Sequence, residues 1–380
     1  MGGGRQVAMK GLLLGGSLAL SALLLELGVL ALVGEQPKFP RHVVGTDFGV
    51  RVNEPGARYR HKSADGTFWF EINSRGLRAD REYPYEKPAG VFRIVSLGDS
   101  FTAGYEVQGH ETFSAVLERE LGNEGLSVEV LNAGVSGYSN AEAALYLERE
   151  LLRYDPDLVL LSFYANDLVD NVRTGLFALR DGELVQARER YVPGGALGNF
   201  LNTNPVFNWL SGYSNAFVFL KERLTHLAKR GMVAENEANV ANADQEGSSE
   251  EPSPSGASEG SRRQRLLAAA ILDRIYDQTR ALGLPLVVQS IPHPSGASDG
   301  RLLEMFPLEE FDVEREGVHF LGLVERLEPH LGKEPLYHRR SHGHWTPLSH
   351  RISGEALARL MIEEGLIGAG SGTPRARAAD

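Results

Sequence analysis

From Val91 the chain alternates short, mostly apolar runs with stretches that are apolar every third or fourth residue. Residues 92–97, 128–131 and 158–163 are runs of the first kind, and 286–289 and 318–321 add two more. A strand apolar on both sides is covered on both sides, so these runs predict a parallel sheet between two helical layers. Phe113, Val116, Leu117 and Leu121 mark one covering helix, residues 141–152 a second, and 353–364 the helix that closes the domain. This places one α/β domain over residues 91–366.

The segments around that domain have a different texture. Residues 11–33 are apolar except for small residues, two serines and Glu26. As a helix they would extend about 35 Å, enough to cross a bilayer. Glu26 costs about 3 kcal/mol near the centre of a span, which the eleven leucines offset. Arg5 and Lys10 precede the apolar stretch, so residues 1–34 read as a single-pass anchor with the remainder extracytoplasmic. A cleaved signal is the alternative, but Val33 occupies the place where a small residue is needed. Residues 35–90 form a β-rich leader, with a strand at 68–72 and a turn at 73–76. An insertion interrupts the domain at about 171–264. Its second part, 235–261, is rich in Ser, Glu, Asn and Gly and lacks apolar surface, so disorder is expected there. A flexible tail is expected over 367–380.

Composition narrows the classes. The apolar fraction of 42% and charged fraction of 23% over 380 residues exclude a disordered or polytopic membrane protein. A net charge of −11 argues against nucleic acid as a partner. The absence of cysteine removes disulfides, thiolate metal sites and thiol nucleophiles.

Four motifs follow the predicted strands. Gly98-Asp99-Ser100-Phe101 puts a serine beyond the carboxyl end of the first strand, where open α/β sheets bind ligands. Either Asp99 or Ser100 could equally cap a helix there. Asn132-Ala133-Gly134-Val135-Ser136-Gly137 follows the second strand, and Gly134 would let a backbone N–H approach a ligand. Tyr164-Ala165-Asn166-Asp167 follows the third strand, and the Asn166 amide is a neutral donor suited to a developing oxyanion. Last comes Ser341-His342-Gly343-His344, with His350 six residues further on. A serine needs a base to take its proton, and histidine has the pKa for that work.

In this order the four motifs resemble those of the SGNH (GDSL-like) hydrolase superfamily, over about 92–366. The resemblance implies a flavodoxin-like three-layer α/β/α fold and an acyl-enzyme mechanism on esters, with no cofactor and no metal. It implies Ser100 as nucleophile and His344 as base. The Ser100 N–H, the Gly134 N–H and the Asn166 amide would form the oxyanion hole, with Asp99 and Tyr164 against the substrate. His350 would be structural. Two departures stand out. Tyr164 replaces the glycine before the Asn-Asp pair, and no acid precedes His344 by two or three residues. The latter predicts a Ser–His dyad, a backbone carbonyl as orienting group, or an acid from elsewhere, with Asp312 and Glu334 as candidates. Transfer of the acyl group to a cell-envelope polysaccharide shares the first half-reaction with hydrolysis and stands as an alternative. A membrane-anchored binding protein without turnover is another. A zinc site built from His342 and His344 with His338 or His350 is a rival that leaves Ser100, Gly134 and Asn166 without a purpose.

Overall fold

The computed structural model describes residues 2–191, 200, 203–245, 256–295 and 300–367. Its centre is a parallel sheet of β5 (Phe92–Leu97), β6 (Val128–Asn132), β7 (Leu158–Phe163), β10 (Leu286–Ser290) and β13 (Val318–Gly322). The strand order is β13-β10-β7-β5-β6. Successive side chains on these strands serve opposite cores. Leu158 and Leu160 face one core, with α3 (Phe113–Asn123) and α10 (Pro347–Glu363). Val159 and Leu161 face the other, with α4 (Asn140–Arg149) and α8 (Gly256–Ala281). That two-sided burial is why the strands are apolar at consecutive positions. Three-layer α/β/α architecture follows.

Helix α10 begins earlier than its apolar periodicity suggested, because Pro347 at the first helical turn sets the backbone for it. Two short helices complete the motif-bearing edge of the sheet: α2 (Ser100–Ala103) after β5 and α5 (Asn166–Thr174) after β7.

The leader is not an independent unit. Its strands β1 (Val43–Gly45) and β2 (Arg51–Asn53) pair antiparallel, as do β3 (Arg58–Ser63) and β4 (Gly66–Glu71). Its Val43, Val52, Leu77 and Tyr83 belong to the same core as Val159.

The insertion holds the hairpin β8 (Phe177–Arg180) and β9 (Glu183–Gln186), then α6 (Pro205–Tyr213) and α7 (Asn215–Gln245). The expectation of disorder over 235–261 needs correction at both ends. Helix α7 runs through Gln245, and α8 begins at Gly256. Asn236 is buried, and its amide donates to the carbonyls of Val172 and Arg173 at 2.9 and 3.0 Å, closing the end of α5. Polar composition concealed a residue whose partners are backbone carbonyls. Residues 246–255, and nearly all of the expected tail, lie outside the described residues; Ile367 itself is buried.

The N-terminal helix α1 (Gly2–Leu32) is long and apolar enough to cross a membrane and is almost wholly exposed. Among the described residues a short strand pair, β11 (His293–Pro294) with β12 (Leu302–Leu303), and a one-turn helix, α9 (Val324–Leu327), complete the elements of the domain.

Candidate active site

Gly98 turns the chain out of β5 with φ of +152°, where a Cβ would stand 2.2 Å from Thr102 Oγ1. Asp99 then caps α2, its carboxylate accepting from the Phe101 N–H at 2.9 Å. Ser100 opens the helix, and its own N–H has no hydrogen-bond partner among the described residues. His344 arrives on the segment before α10. The Ser100 hydroxyl donates to His344 Nε2 at 2.9 Å. Phe101 and Tyr105 pack their rings 5.3 and 5.4 Å from the imidazole and limit its movement.

His344 has a carboxylate partner that the sequence reading did not identify. His344 Nδ1 donates to Glu106 Oε2 at 3.1 Å. Glu106 is fully buried and adopts φ of +66°, a left-handed turn uncommon for a residue with a Cβ. Burial pushes its carboxyl up, but hydrogen bonding to His344, the imidazole's charge and the Ser341 hydroxyl outweigh burial and hold it below the usual value. Ser341 donates to the other oxygen, Glu106 Oε1, and its Oγ lies 3.0 Å from Asp65 on the β3–β4 turn. Of the three alternatives, the structure places an acid from elsewhere, Glu106, against His344. Asp312 accepts from the nearby Glu314 N–H, while Glu334 is exposed beside His330 at 3.8 Å. The available signal was a lone acid between Tyr105 and Val107, six residues after Ser100.

The leader holds the Glu106 turn in place. Arg78 is buried, donates to the carbonyls of Ala103 and Gly104, and reaches the Val107 carbonyl at 2.7 Å. These carbonyls bracket Glu106. Its guanidinium lies 3.7 Å from the Phe70 ring of β4.

The Gly134 N–H is engaged, because it donates to Asn132 Oδ1 at 3.0 Å. That glycine has a packing reason instead: a Cβ there would be 2.1 Å from the Ala103 nitrogen. In the same loop, Gly137 has φ of +68°, and its N–H has no partner among the described residues. The Asn166 amide donates to Asp99 Oδ2 at 3.0 Å and makes a longer contact of 3.4 Å to Asp170. This keeps its nitrogen directed towards the loop that carries Ser100.

Asp99 does not present a free carboxylate to a substrate. It is buried, and Phe101 and Asn166 use its two oxygens. Burial pushes it up to about 6, against the lowering effects of the Phe101 N–H, His344 and Asn166. Tyr164 packs against Phe101 with tilted rings 4.4 Å apart and bonds His293 Nδ1 at 2.9 Å through its hydroxyl. His350 is structural, accepting from the Phe113 N–H at 3.1 Å. His342 rests on Phe39 at 4.6 Å. Among the described residues, no three metal-ligating side chains gather around these histidines.

A model of the GDSL-like lipase/acylhydrolase family matches residues 96–352. The chain belongs to that family. Within this GDSL-family chain, a 75-residue stretch is 33% identical to an arylesterase of Vibrio mimicus. The match covers 20% of this chain and 38% of that protein, well under half of the relative's length. Among solved structures, TesA is similar over 72% of this chain and 99% of its own, at 14% identity and a TM-score of 0.40. The psychrotrophic esterase EstA from Pseudoalteromonas sp. is similar over 72% and 97%, at 14% identity and a TM-score of 0.36.

Proposed function

We propose that this GDSL-family chain is a serine esterase acting on an acyl ester outside the cytoplasm, with α1 as its membrane anchor. The observation that carries the reading is the continuous line Ser100–His344–Glu106, with contacts of 2.9 and 3.1 Å. Glu106 fixes the imidazole tautomer with hydrogen on Nδ1, leaving Nε2 to accept the Ser100 proton. Ser100 Oγ then attacks the ester carbonyl carbon, and negative charge develops on the carbonyl oxygen. The free Ser100 N–H is one donor for that charge, and the Asn166 amide, which donates to Asp99 in the resting site, is a second once it turns from that carboxylate. A third is a backbone N–H of the 134–137 loop, where that of Gly137 is unengaged and that of Gly134 is held by Asn132. Protonated His344 returns its proton to the departing alkoxide. His344 next deprotonates a water that attacks the acyl-enzyme, and Ser100 is released.

A fluorophosphonate probe tests this on the full chain, read by mass spectrometry. A single adduct on Ser100 is expected. An adduct elsewhere, or none on protein that still hydrolyses p-nitrophenyl acetate, would overturn the assignment. Release of free acid in water, set against acyl transfer to added saccharide, separates hydrolysis from transfer.

A further inference from the structure

Helix α1 and the insertion meet at a defined joint. The Glu26 carboxylate of α1 accepts from Ser214 Oγ at 2.8 Å and Asn215 Nδ2 at 2.7 Å. It also accepts from the N–H groups of Asn215 and Ala216 at 2.7 and 3.0 Å. These groups form the α6–α7 corner, so a residue of the apolar helix caps the N-terminus of α7. The charge that looked costly within the apolar stretch is thereby satisfied.

That joint fixes the depth of the insertion. Counting about 30 Å of hydrocarbon from Lys10 at 1.5 Å per residue ends a span near residue 30. Glu26 then lies about 6 Å inside the outer edge, and the corner that bonds it must enter the interfacial layer. The surfaces flanking this corner suit that layer. Val206, Trp209 and Tyr213 form one stripe on α6, and Leu220, Leu224 and Leu227 form another on α7. All six are between 55% and 64% exposed. Exposed Arg223 and Arg230 flank the α7 stripe. A neighbouring cleft is lined by Arg60, Lys62 and Tyr213 over a buried Lys38, whose ammonium is held by Glu35 and Asn215; Glu35 also pairs with Lys62. Cations gathered here, on a chain of net charge −11, match the phosphates of an anionic leaflet.

We propose that α6 and the first half of α7 lie in the interface of an anionic bilayer beside α1. The proposal rests on α1 being an anchor. Trp209 and the leucine stripe contact acyl chains there, and the arginines and basic cleft contact lipid phosphates. The catalytic domain is then docked on the membrane and does not hang from a tether.

The test uses the full chain carrying Trp69→Phe in phosphatidylglycerol nanodiscs with brominated acyl chains. Trp345 is fully buried, so Trp209 is the reporter. Quenching of its emission by about half or more is expected, and the further change Trp209→Phe should abolish it. Moving the reporter to α7, as Leu224→Trp with Trp209→Phe, should restore quenching. Weaker quenching is expected in phosphatidylcholine discs, and equal quenching would overturn the anionic preference. Unquenched reporters on protein that co-elutes with discs would overturn the docking alone. Protein that does not enter discs would overturn the anchor reading and the proposal with it.

Discussion

Glu106 and His344 are separated by 238 positions in the chain, yet Oε2 and Nδ1 stand 3.1 Å apart. In the proposed mechanism this carboxylate orients the base, so Glu106→Gln should lower kcat by roughly 10³–10⁴ with little change in KM. His342→Asp should not restore the loss, since residue 342 packs on Phe39 with its ring 6.2 Å from that of His344. Steady-state kinetics on the single and double variants decide this. An active double variant would show that the acid can be supplied from either side.

Arg78 is the leader's hold on the catalytic turn. Arg78→Met leaves the carbonyls of Ala103, Gly104 and Val107 without their donor. A stability loss of about 3 kcal/mol or more is expected in urea melts, with kcat falling in the fraction that remains folded. A folded variant with unchanged kcat would separate Glu106 placement from Arg78.

Asn166→Ala removes a neutral donor from beside the nucleophile. A drop in kcat of roughly 10²–10³ with a modest KM change is expected. An unchanged kcat would leave Asn166 as a partner of Asp99 only.

Asn236→Ala takes two hydrogen bonds from the end of α5. Denaturant unfolding should show a loss of about 1–3 kcal/mol. No change would mean that the α7–α5 contact contributes nothing to the fold.

His350 gives a signed pH dependence. Burial holds its imidazole well below 6.5, and its Nδ1 must stay unprotonated to accept the Phe113 N–H. The unfolded chain therefore binds an extra proton as pH falls below about 6.5, so stability is lost in that direction. The contribution approaches about 1.4 kcal/mol per pH unit. His350→Gln should flatten the acid limb of the stability curve by up to one proton. An unaltered slope would show that His350 titrates normally in the fold.

What the sequence by itself determined is what local solvation and local geometry report. Strands buried on both sides must be apolar at consecutive positions, so residues 92–97 and 158–163 coincide with β5 and β7 to the residue. Ser100 follows from the turn that ends β5, and His344 from the segment before the last helix. Tertiary structure alone decided the partners of buried polar groups. Glu106 reads as an ordinary loop acid until the left-handed turn at φ +66° returns it to His344. Gly134 reads as a free donor until Asn132 takes its N–H, and Asn236 as a solvated residue until α5 presents its carbonyls. Glu26 reads as an unpaired charge until the α6–α7 corner surrounds it. Apolar burial is non-directional and leaves a periodic trace along the chain. A hydrogen bond requires one donor and one acceptor within about 3 Å, and that distance is set by where distant segments return.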